Sequence, residues 1–149
     1  MKSYRIIIIL LIIFVIYACQ KDDIANDPDP IVVVADSVKS MLRWNDMNVT
    51  VDSGVPYTFH SIGEWIDLNI ITNADGFTDS FLDQFSSLKR IPAANWFELI
   101  ASVDTTSFYI VGKDTTLTFE ESGNLFLFAN DAEGFYGNNS GSIFTEITR

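Results

Sequence analysis

The fold of this 149-residue chain is indicated by one stretch near its C-terminus, LFLFANDAEGFYGNNSGSIFTEI, residues 125–147. Residues 125–129 form an apolar run with the length and aromatic content of a buried strand, and residues 143–147 could form another. The residues between them, 130–142, are rich in Asn, Gly and Ser, which favour turns. The stretch therefore predicts a loop between two strands.

This loop contains one carboxylate, Asp131, and two adjacent carboxamides, Asn138 and Asn139. Neighbouring side chains of an extended chain point to opposite faces, so aiming both amides at one point requires a different backbone, which Gly137 and Gly141 permit. Converging carboxylate and amide oxygens suit Ca²⁺, which takes roughly six to eight oxygen ligands. The alternative interpretation is that these are ordinary turn residues with no ligand.

Upstream of this stretch, short apolar runs separated by turn signals recur instead of long helical patterns. The candidate strands are residues 49–51, 55–59, 62–66, 96–103, 107–111 and 115–119. Strands at this spacing predict an all-β sandwich. The exception is the insertion 69–90, in which Phe81, Leu82, Phe85 and Leu88 fall at helical spacing and predict a short amphipathic helix. Long loops on a rigid sheet often carry binding residues.

The N-terminus has the layout of a secretory signal, with Lys2 and Arg5 followed by an apolar run over residues 6–16. Eleven residues fall short of the about 20 that a permanent transmembrane helix needs, although a membrane anchor with a free cysteine is the alternative. Residues 16–19 resemble a bacterial lipobox, which implies cleavage before Cys19 and lipidation of its thiol. Residues 20–23 resemble the export signal of Bacteroidetes-type lipoproteins, which implies lipid anchoring in the outer membrane with exposure at the cell surface.

The chain accordingly divides into a signal peptide (residues 1–18), a lipidated cysteine with an acidic, disordered linker (19–38) and one folded domain (39–149). The formal net charge is −11, and loss of residues 1–18 would leave 7 basic and 20 acidic residues, a net charge of −13. Such a surface repels nucleic-acid phosphates and anionic lipids, so nucleic-acid binding is disfavoured.

The loop itself shows a family resemblance. Asn130-Asp131, three residues, Phe135 and then Tyr-Gly-Asn-Asn-Ser-Gly-Ser (136–142) closely resemble the calcium loop of the LecA-type galactophilic lectins. The resemblance extends over most of residues 40–149. It implies a galactose-binding-like β-sandwich of the jelly-roll type that binds Ca²⁺ and, through it, a sugar.

Carried over by position, the resemblance implies that Asp131, Asn138 and Asn139 bind Ca²⁺ through side-chain oxygens and that Phe135 binds it through its backbone carbonyl. A further carbonyl ligand falls at Asp67 or Leu68, and Asp67 is the preferred match. Five oxygens leave the shell incomplete, so two vicinal sugar hydroxyls could complete it. A site with one carboxylate should bind weakly, with a Kd on the order of 10⁻⁴ to 10⁻³ M.

The implied sugar contacts are Asp131, Ala132, Phe135, Asn138 and Asp83. Galactophilic members have a His-Pro pair and a nearby Gln where this chain has Ser80, Phe81 and Asp83, so galactose specificity is not implied. No enzyme motif is present in the sequence. The prediction is a non-enzymatic, calcium-dependent carbohydrate-binding module. The alternative is an envelope lipoprotein with a structural calcium that binds a protein partner or supports a glycan-degrading complex.

Overall fold

The computed structural model describes residues 29–149, which form ten strands. Their bounds are β1 Val32–Lys39, β2 Asn45–Val51, β3 Pro56–Asp67, β4 Ile70–Thr72, β5 Asp75–Phe77, β6 Trp96–Val103, β7 Ser107–Ile110, β8 Asp114–Thr118, β9 Gly123–Ala129 and β10 Asn139–Thr148. All pairings between them are antiparallel, and they build two five-stranded sheets.

In the first sheet β10 lies between β1 and β3, and β4 and β8 pair with different ends of β3. The segments 55–59 and 62–66, predicted as two strands, belong to the single strand β3. Its alternating inward residues Tyr57, Phe59 and Ser61, and then Trp65, are buried. That alternation is the pattern of a sheet with one face on the core.

In the second sheet the order is β2, β9, β6 and β5, and β7 pairs with the C-terminal part of β6. The predicted strands 96–103 and 125–129 correspond to β6 and β9, which pair through Leu99–Ala129 to Val103–Leu125. β9 and β10 lie in different sheets, so the chain between them crosses the end of the sandwich.

The core lies between the two sheets. Its largest fully buried side chains are Trp65, Tyr57, Phe59, Phe97, Phe119, Leu99, Leu125, Leu127, Ile143 and Ile147. Each large side chain of this kind stabilises the folded state by roughly 1.5–3 kcal/mol through burial. A smaller cluster around Ile100 and Phe128 is covered by Trp44 and Ile91.

The folded part begins before residue 39. β1 starts at Val32 and pairs with β10 through Val32–Thr148 to Lys39–Ser142, and Val38 is fully buried. The assignment of residues 32–38 to a disordered linker is therefore wrong, because their backbone completes the edge of a sheet. Ile31 and Arg149 also exchange two backbone hydrogen bonds, with N–O distances of 2.9 and 3.0 Å. The predicted signal peptide, Cys19 and the start of the linker lie outside the described residues.

The predicted amphipathic helix is present as a 3₁₀ segment, Leu82–Leu88, which buries none of its residues. A second 3₁₀ turn, Tyr136–Asn138, lies directly before β10. Within residues 29–149 neither segment has the length and apolarity needed to cross a membrane.

Candidate functional site

The loop that joins β9 to β10 is held to the second sheet by Asn130. Its backbone N–H donates to the Glu98 carbonyl at 2.9 Å, and its carbonyl accepts from the Phe97 N–H at 2.8 Å. The buried Asn130 amide also donates to the Ile91 and Asn95 carbonyls, both at 2.9 Å. These bonds fix the chain one residue before Asp131.

The Asp131 side chain is buried, with only 3% of the residue exposed, and each of its carboxylate oxygens accepts a hydrogen bond from the same loop. Its Oδ1 accepts the N–H of Ala132 at 2.7 Å, and its Oδ2 accepts the Nδ2–H of Asn139 at 3.0 Å. One oxygen of this carboxylate therefore binds the backbone, and the other binds the side-chain amide of Asn139.

The register between β10 and β3 brings Asp67 into the same cluster, because Asn139 is the partner of Asp67 across the sheet. The Nδ2–H of Asn138 donates to Oδ1 of Asp67 at 3.1 Å. Four oxygen-bearing side chains therefore meet at this end of the sandwich: Asp67, Asp131, Asn138 and Asn139. We call this cluster the acid–amide site.

Two adjacent asparagines reach the same site because the backbone changes conformation between them. Asn138 ends the 3₁₀ turn, and Asn139 is already extended, with φ −83° and ψ 149°. Gly137 does not supply the change: its φ is not positive and an added Cβ would meet nothing within 4 Å. Gly141 does have φ +84°, and an added Cβ would lie 3.1 Å from the Glu64 carbonyl oxygen. Gly141 thus allows β10 to approach β3 closely.

Both carboxylates of the acid–amide site have a raised pKa. The pKa of Asp67 is raised to about 6 by partial burial and by the nearby charge of Asp131, and the hydrogen bond from Asn138 opposes this shift. The pKa of Asp131 is also raised, chiefly by burial, and the bonds from Asn139 and Ala132 oppose the shift. A cation beside both carboxylates would relieve this repulsion and favour their ionised forms.

The acid–amide site also contains an unsatisfied acceptor. The Asn139 amide nitrogen donates to the Ser40 carbonyl at 3.3 Å and to Asp131, while its buried Oδ1 has no hydrogen-bond partner within the described residues. Buried acceptors normally have a partner. Carboxylate and amide oxygens are the hard ligands that Ca²⁺ prefers, and in this structure Asn138 and Asn139 direct their amide nitrogens, not their oxygens, at the carboxylates. Within residues 29–149, no group of three or more His, Cys, Asp or Glu side chains is arranged so that it could hold a metal ion, so a metal at this site would depend on amide and carbonyl oxygens as well.

Phe135 and Ala132 lie beside the acid–amide site. The Phe135 carbonyl, proposed as a ligand by resemblance, accepts the N–H of Asn138 at 3.2 Å, and the Phe135 side chain is exposed. Ala132 is buried next to Asp131. Both residues line a groove of about 490 Å³ that also contacts Asp67, Asp131 and Asn138.

Asp83, the remaining sequence-predicted sugar contact, is exposed on the 3₁₀ segment and is not among the residues that line this groove. Its neighbours Phe81 and Leu82 line the groove instead. The structure therefore separates Asp83 from the other predicted sugar contacts, because the chain turns so that its apolar side chains face the groove.

Arg90 anchors the loop from behind, and no local sequence pattern predicts this role. Its backbone N–H donates to the Asp131 carbonyl at 3.1 Å, and its buried guanidinium donates to the Tyr136 hydroxyl at 3.1 Å. The guanidinium also lies 4.0 Å from the Trp44 ring centre and 3.5 Å from that of Phe128. Tyr136 in turn donates to the Ala129 carbonyl at 2.7 Å. Burial raises the pKa of Tyr136, so this phenol stays protonated and keeps its bond.

Two antiparallel five-stranded sheets with this connection from β9 to β10 define a lectin-type β-sandwich fold. The fold is similar to that of a solved structure described as "EclA N-terminal domain; PllA-like lectin". The TM-score is 0.61, the sequence identity is 17%, and the match covers 79% of this chain and 97% of that chain. No family model and no curated protein matches the sequence. The prediction of an all-β sandwich of the lectin type is confirmed.

Proposed function

We propose that this chain is a non-enzymatic, calcium-dependent carbohydrate-binding module. The observation that carries the proposal is the convergence of Asp67, Asp131, Asn138 and Asn139 at one end of a lectin-type sandwich, where the buried Asn139 Oδ1 has no hydrogen-bond partner among residues 29–149. The fold neighbour is described as a lectin domain, which supports the same class of function.

The residues that would hold the ion are Asp131, Asn138 and Asn139 through side-chain oxygens, Phe135 through its carbonyl, and Asp67. Bound Ca²⁺ would supply a centre whose remaining coordination positions neutral sugar hydroxyls can fill. The chain itself supplies the charge balance, since two carboxylates neutralise a divalent cation. The Asn138 and Asn139 amides, which donate to the carboxylates in the structure, would turn their oxygens toward the ion.

Calcium calorimetry on residues 29–149, with and without Asp131→Ala, tests the metal site. Glycan-array binding with and without a chelator then tests the sugar site. We expect saturable calcium binding that Asp131→Ala removes, and array signals that the chelator abolishes. If no glycan gives a calcium-dependent signal, the carbohydrate assignment fails even where calcium binds.

The second candidate is an envelope protein with a structural calcium, whose partner is another protein or a glycan-degrading complex. It is favoured by the departure at Ser80, Phe81 and Asp83, where the His-Pro and Gln pattern is missing and Phe81 is exposed. For this candidate, calcium should raise the melting temperature while no glycan adds to it. Affinity isolation from the cell surface should then recover one stoichiometric partner.

The site of action is also part of the proposal. Lipidation at Cys19 and display on the outer membrane would place the module at the cell surface. Metabolic labelling with a fatty-acid analogue, compared between the natural chain and Cys19→Ala, tests the anchor. Protease accessibility on intact cells tests the exposure.

A further inference from the structure

The groove beside the acid–amide site combines a charged end with an apolar wall. Asp67 and Asp131 line one end, and most of the other lining side chains are apolar. No ion pair within residues 29–149 involves either carboxylate. The two basic residues of the adjacent segment are engaged elsewhere, because Lys89 donates to a backbone carbonyl and Arg90 lies over two aromatic rings. The described residues therefore supply no cation to the charged end of the groove.

Asp67 is the carboxylate that a ligand in the groove can reach. It is half-buried, whereas Asp131 is almost fully buried and both of its oxygens already accept hydrogen bonds. Within the described part of the chain, the side-chain hydrogen bond to Asp67 comes from Asn138 and uses Oδ1. The other oxygen, Oδ2, is therefore available to a basic group that enters the groove.

The apolar wall is formed by side chains that the protein core does not use. Phe81, Phe85 and Leu88, at the 3₁₀ segment, are 65%, 42% and 57% exposed. Leu68 and Phe135 reach the same groove from two other loops and are 74% and 60% exposed. A clustered apolar patch of this kind on a protein surface indicates an interaction site.

The exposure of this wall favours a protein segment over a small molecule as the occupant. Small-molecule sites are concave and bury roughly 70–90% of the ligand surface. Here three separate loops build an exposed wall around a space of about 490 Å³, so a small ligand would leave much of the wall in water. A protein segment brings flanking surface that covers such a wall, as in interfaces where apolar anchors lie inside a polar rim.

Charge selects the chemistry of that segment. The chain has a formal net charge of −11 and the polar end of the groove is acidic, so an acidic partner is repelled and a basic partner is attracted. An ion pair with Asp67 contributes little by itself because this carboxylate is partly solvated. Apolar side chains must therefore supply most of the affinity, and the basic group supplies the selectivity.

We propose that the groove docks a short segment of a partner protein in which a lysine or arginine stands beside bulky apolar side chains. The basic group pairs with Asp67, and the apolar side chains cover Leu68, Phe81 and Phe85. The inference goes beyond the proposed function because it concerns a protein partner, and it specifies the chemistry of the partner in the second candidate function. Calcium at the acid–amide site should compete with the basic group, since both would use Asp67.

The test measures the binding of three synthetic octapeptides to residues 29–149, which contain both sheets and the described core. The peptides alternate leucine with lysine, leucine with glutamate, and serine with lysine. Fluorescence anisotropy is recorded in chelator at about 0.15 M salt, which screens long-range attraction. We expect saturable one-to-one binding of the leucine–lysine peptide, on the order of tenfold tighter than that of either other peptide.

Variants with matched controls locate the peptide. The double variant F81A/F85A should weaken binding of the leucine–lysine peptide by about tenfold, and Asp67→Asn should weaken it by about threefold. The control F144A removes a ring with the same 42% exposure as Phe85 from outside the groove. The control Glu146→Gln removes one charge from the same sheet as Asp67. Neither control should change the peptide affinity, and thermal melting checks that each variant is folded.

Several outcomes would overturn the docking proposal. One is a leucine–glutamate or serine–lysine peptide that binds as tightly as the leucine–lysine peptide, and another is tight binding that persists in F81A/F85A. If calcium binds and leaves the peptide affinity unchanged, the basic group does not lie at Asp67. If sedimentation of residues 29–149 alone shows a dimer that F81A/F85A disrupts, the occupant is a second copy of this chain.

The same experiment distinguishes this inference from the proposed function. The peptide measurements in chelator require neither calcium nor a glycan. Peptide binding with negative glycan arrays would therefore support docking while the carbohydrate assignment fails. Positive arrays without peptide binding would overturn docking and leave the carbohydrate assignment intact.

Discussion

Replacing Asp67 with Asn should have opposite effects on the calcium-free protein and on calcium binding. The amide keeps an oxygen that can accept the Asn138 hydrogen bond, so the change mainly removes one negative charge. Without calcium, that charge is unfavourable because it is partly buried and faces Asp131. With calcium at the proposed site, the same charge would be favourable because it would lie beside a cation.

The magnitude follows from the pKa of Asp67. A pKa of about 6 in the folded state, against a usual value of 3.8, corresponds to about 3 kcal/mol at neutral pH. The side chain is only half-buried, so solvent screening reduces this to about 1 kcal/mol. For a domain of this size the expected rise in melting temperature is about 4 °C. Loss of one of two carboxylates should weaken calcium binding by about tenfold or more.

Differential scanning calorimetry in chelator measures the first effect, and calcium titration calorimetry measures the second. Asp83→Asn is the matched control: it removes the same charge from an exposed position that does not line the groove, and both quantities should stay near their natural values. If Asp67→Asn lowers the melting temperature in chelator and leaves calcium affinity unchanged, the two-carboxylate account of the site is refuted.

Three further predictions concern pH and the loop framework. Between pH 4 and 6 the folded chain holds more protons at Asp67 than the unfolded chain, so in chelator the melting temperature should fall as pH rises through this window. Saturating calcium should reverse this trend. If the trend persists in Asp67→Asn, a group other than Asp67 causes it. Arg90→Met should lower the free energy of unfolding by about 2–3 kcal/mol in chemical denaturation and weaken calcium binding, because it removes the hydrogen bond to the Tyr136 hydroxyl and the cation's contacts with the Trp44 and Phe128 rings. The control Arg149→Met removes an exposed ion pair and should lower the free energy of unfolding by less than about 0.5 kcal/mol. Equal losses in the two variants would contradict the anchoring role of Arg90. Gly141→Ala should lower the free energy of unfolding by about 1–3 kcal/mol, because Gly141 has a positive φ and its added Cβ would meet β3. Gly137→Ala should change it by less than about 0.5 kcal/mol. The reverse order would disprove the close approach of β10 to β3.

The sequence predicts the central strands well, because their signal is local. Residues 96–103 and 125–129 are nearly continuous apolar runs between turn residues, and both are strands of the second sheet. β1 is missed because Asp36 and Ser37 interrupt its apolar pattern and an acidic, proline-containing segment precedes it. Its strand conformation depends on pairing with β10, which lies about a hundred residues later in the chain.

The same distinction applies to the candidate site. Asp131, Asn138 and Asn139 lie close together in sequence, so their string and spacing are enough to predict that they meet. The Asp67 side chain joins them only through the register between β3 and β10, and the family resemblance indicates only a backbone carbonyl there. Arg90 contacts the loop from a different connection, so no local pattern identifies it. Long-range register and packing are the parts that the sequence alone does not specify.

The paired ends of the folded domain have a practical consequence. Ile31 and Arg149 meet at one end of β10, and Asn139 begins its other end. At about 3.4 Å per residue, the strand separates the two ends by roughly 30 Å. A group attached directly before Ile31 or after Arg149 would therefore join the domain at the end of β10 remote from the loop that joins β9 to β10. Immobilisation of residues 29–149 through a tag at either of these points should accordingly keep the loop open to soluble probes.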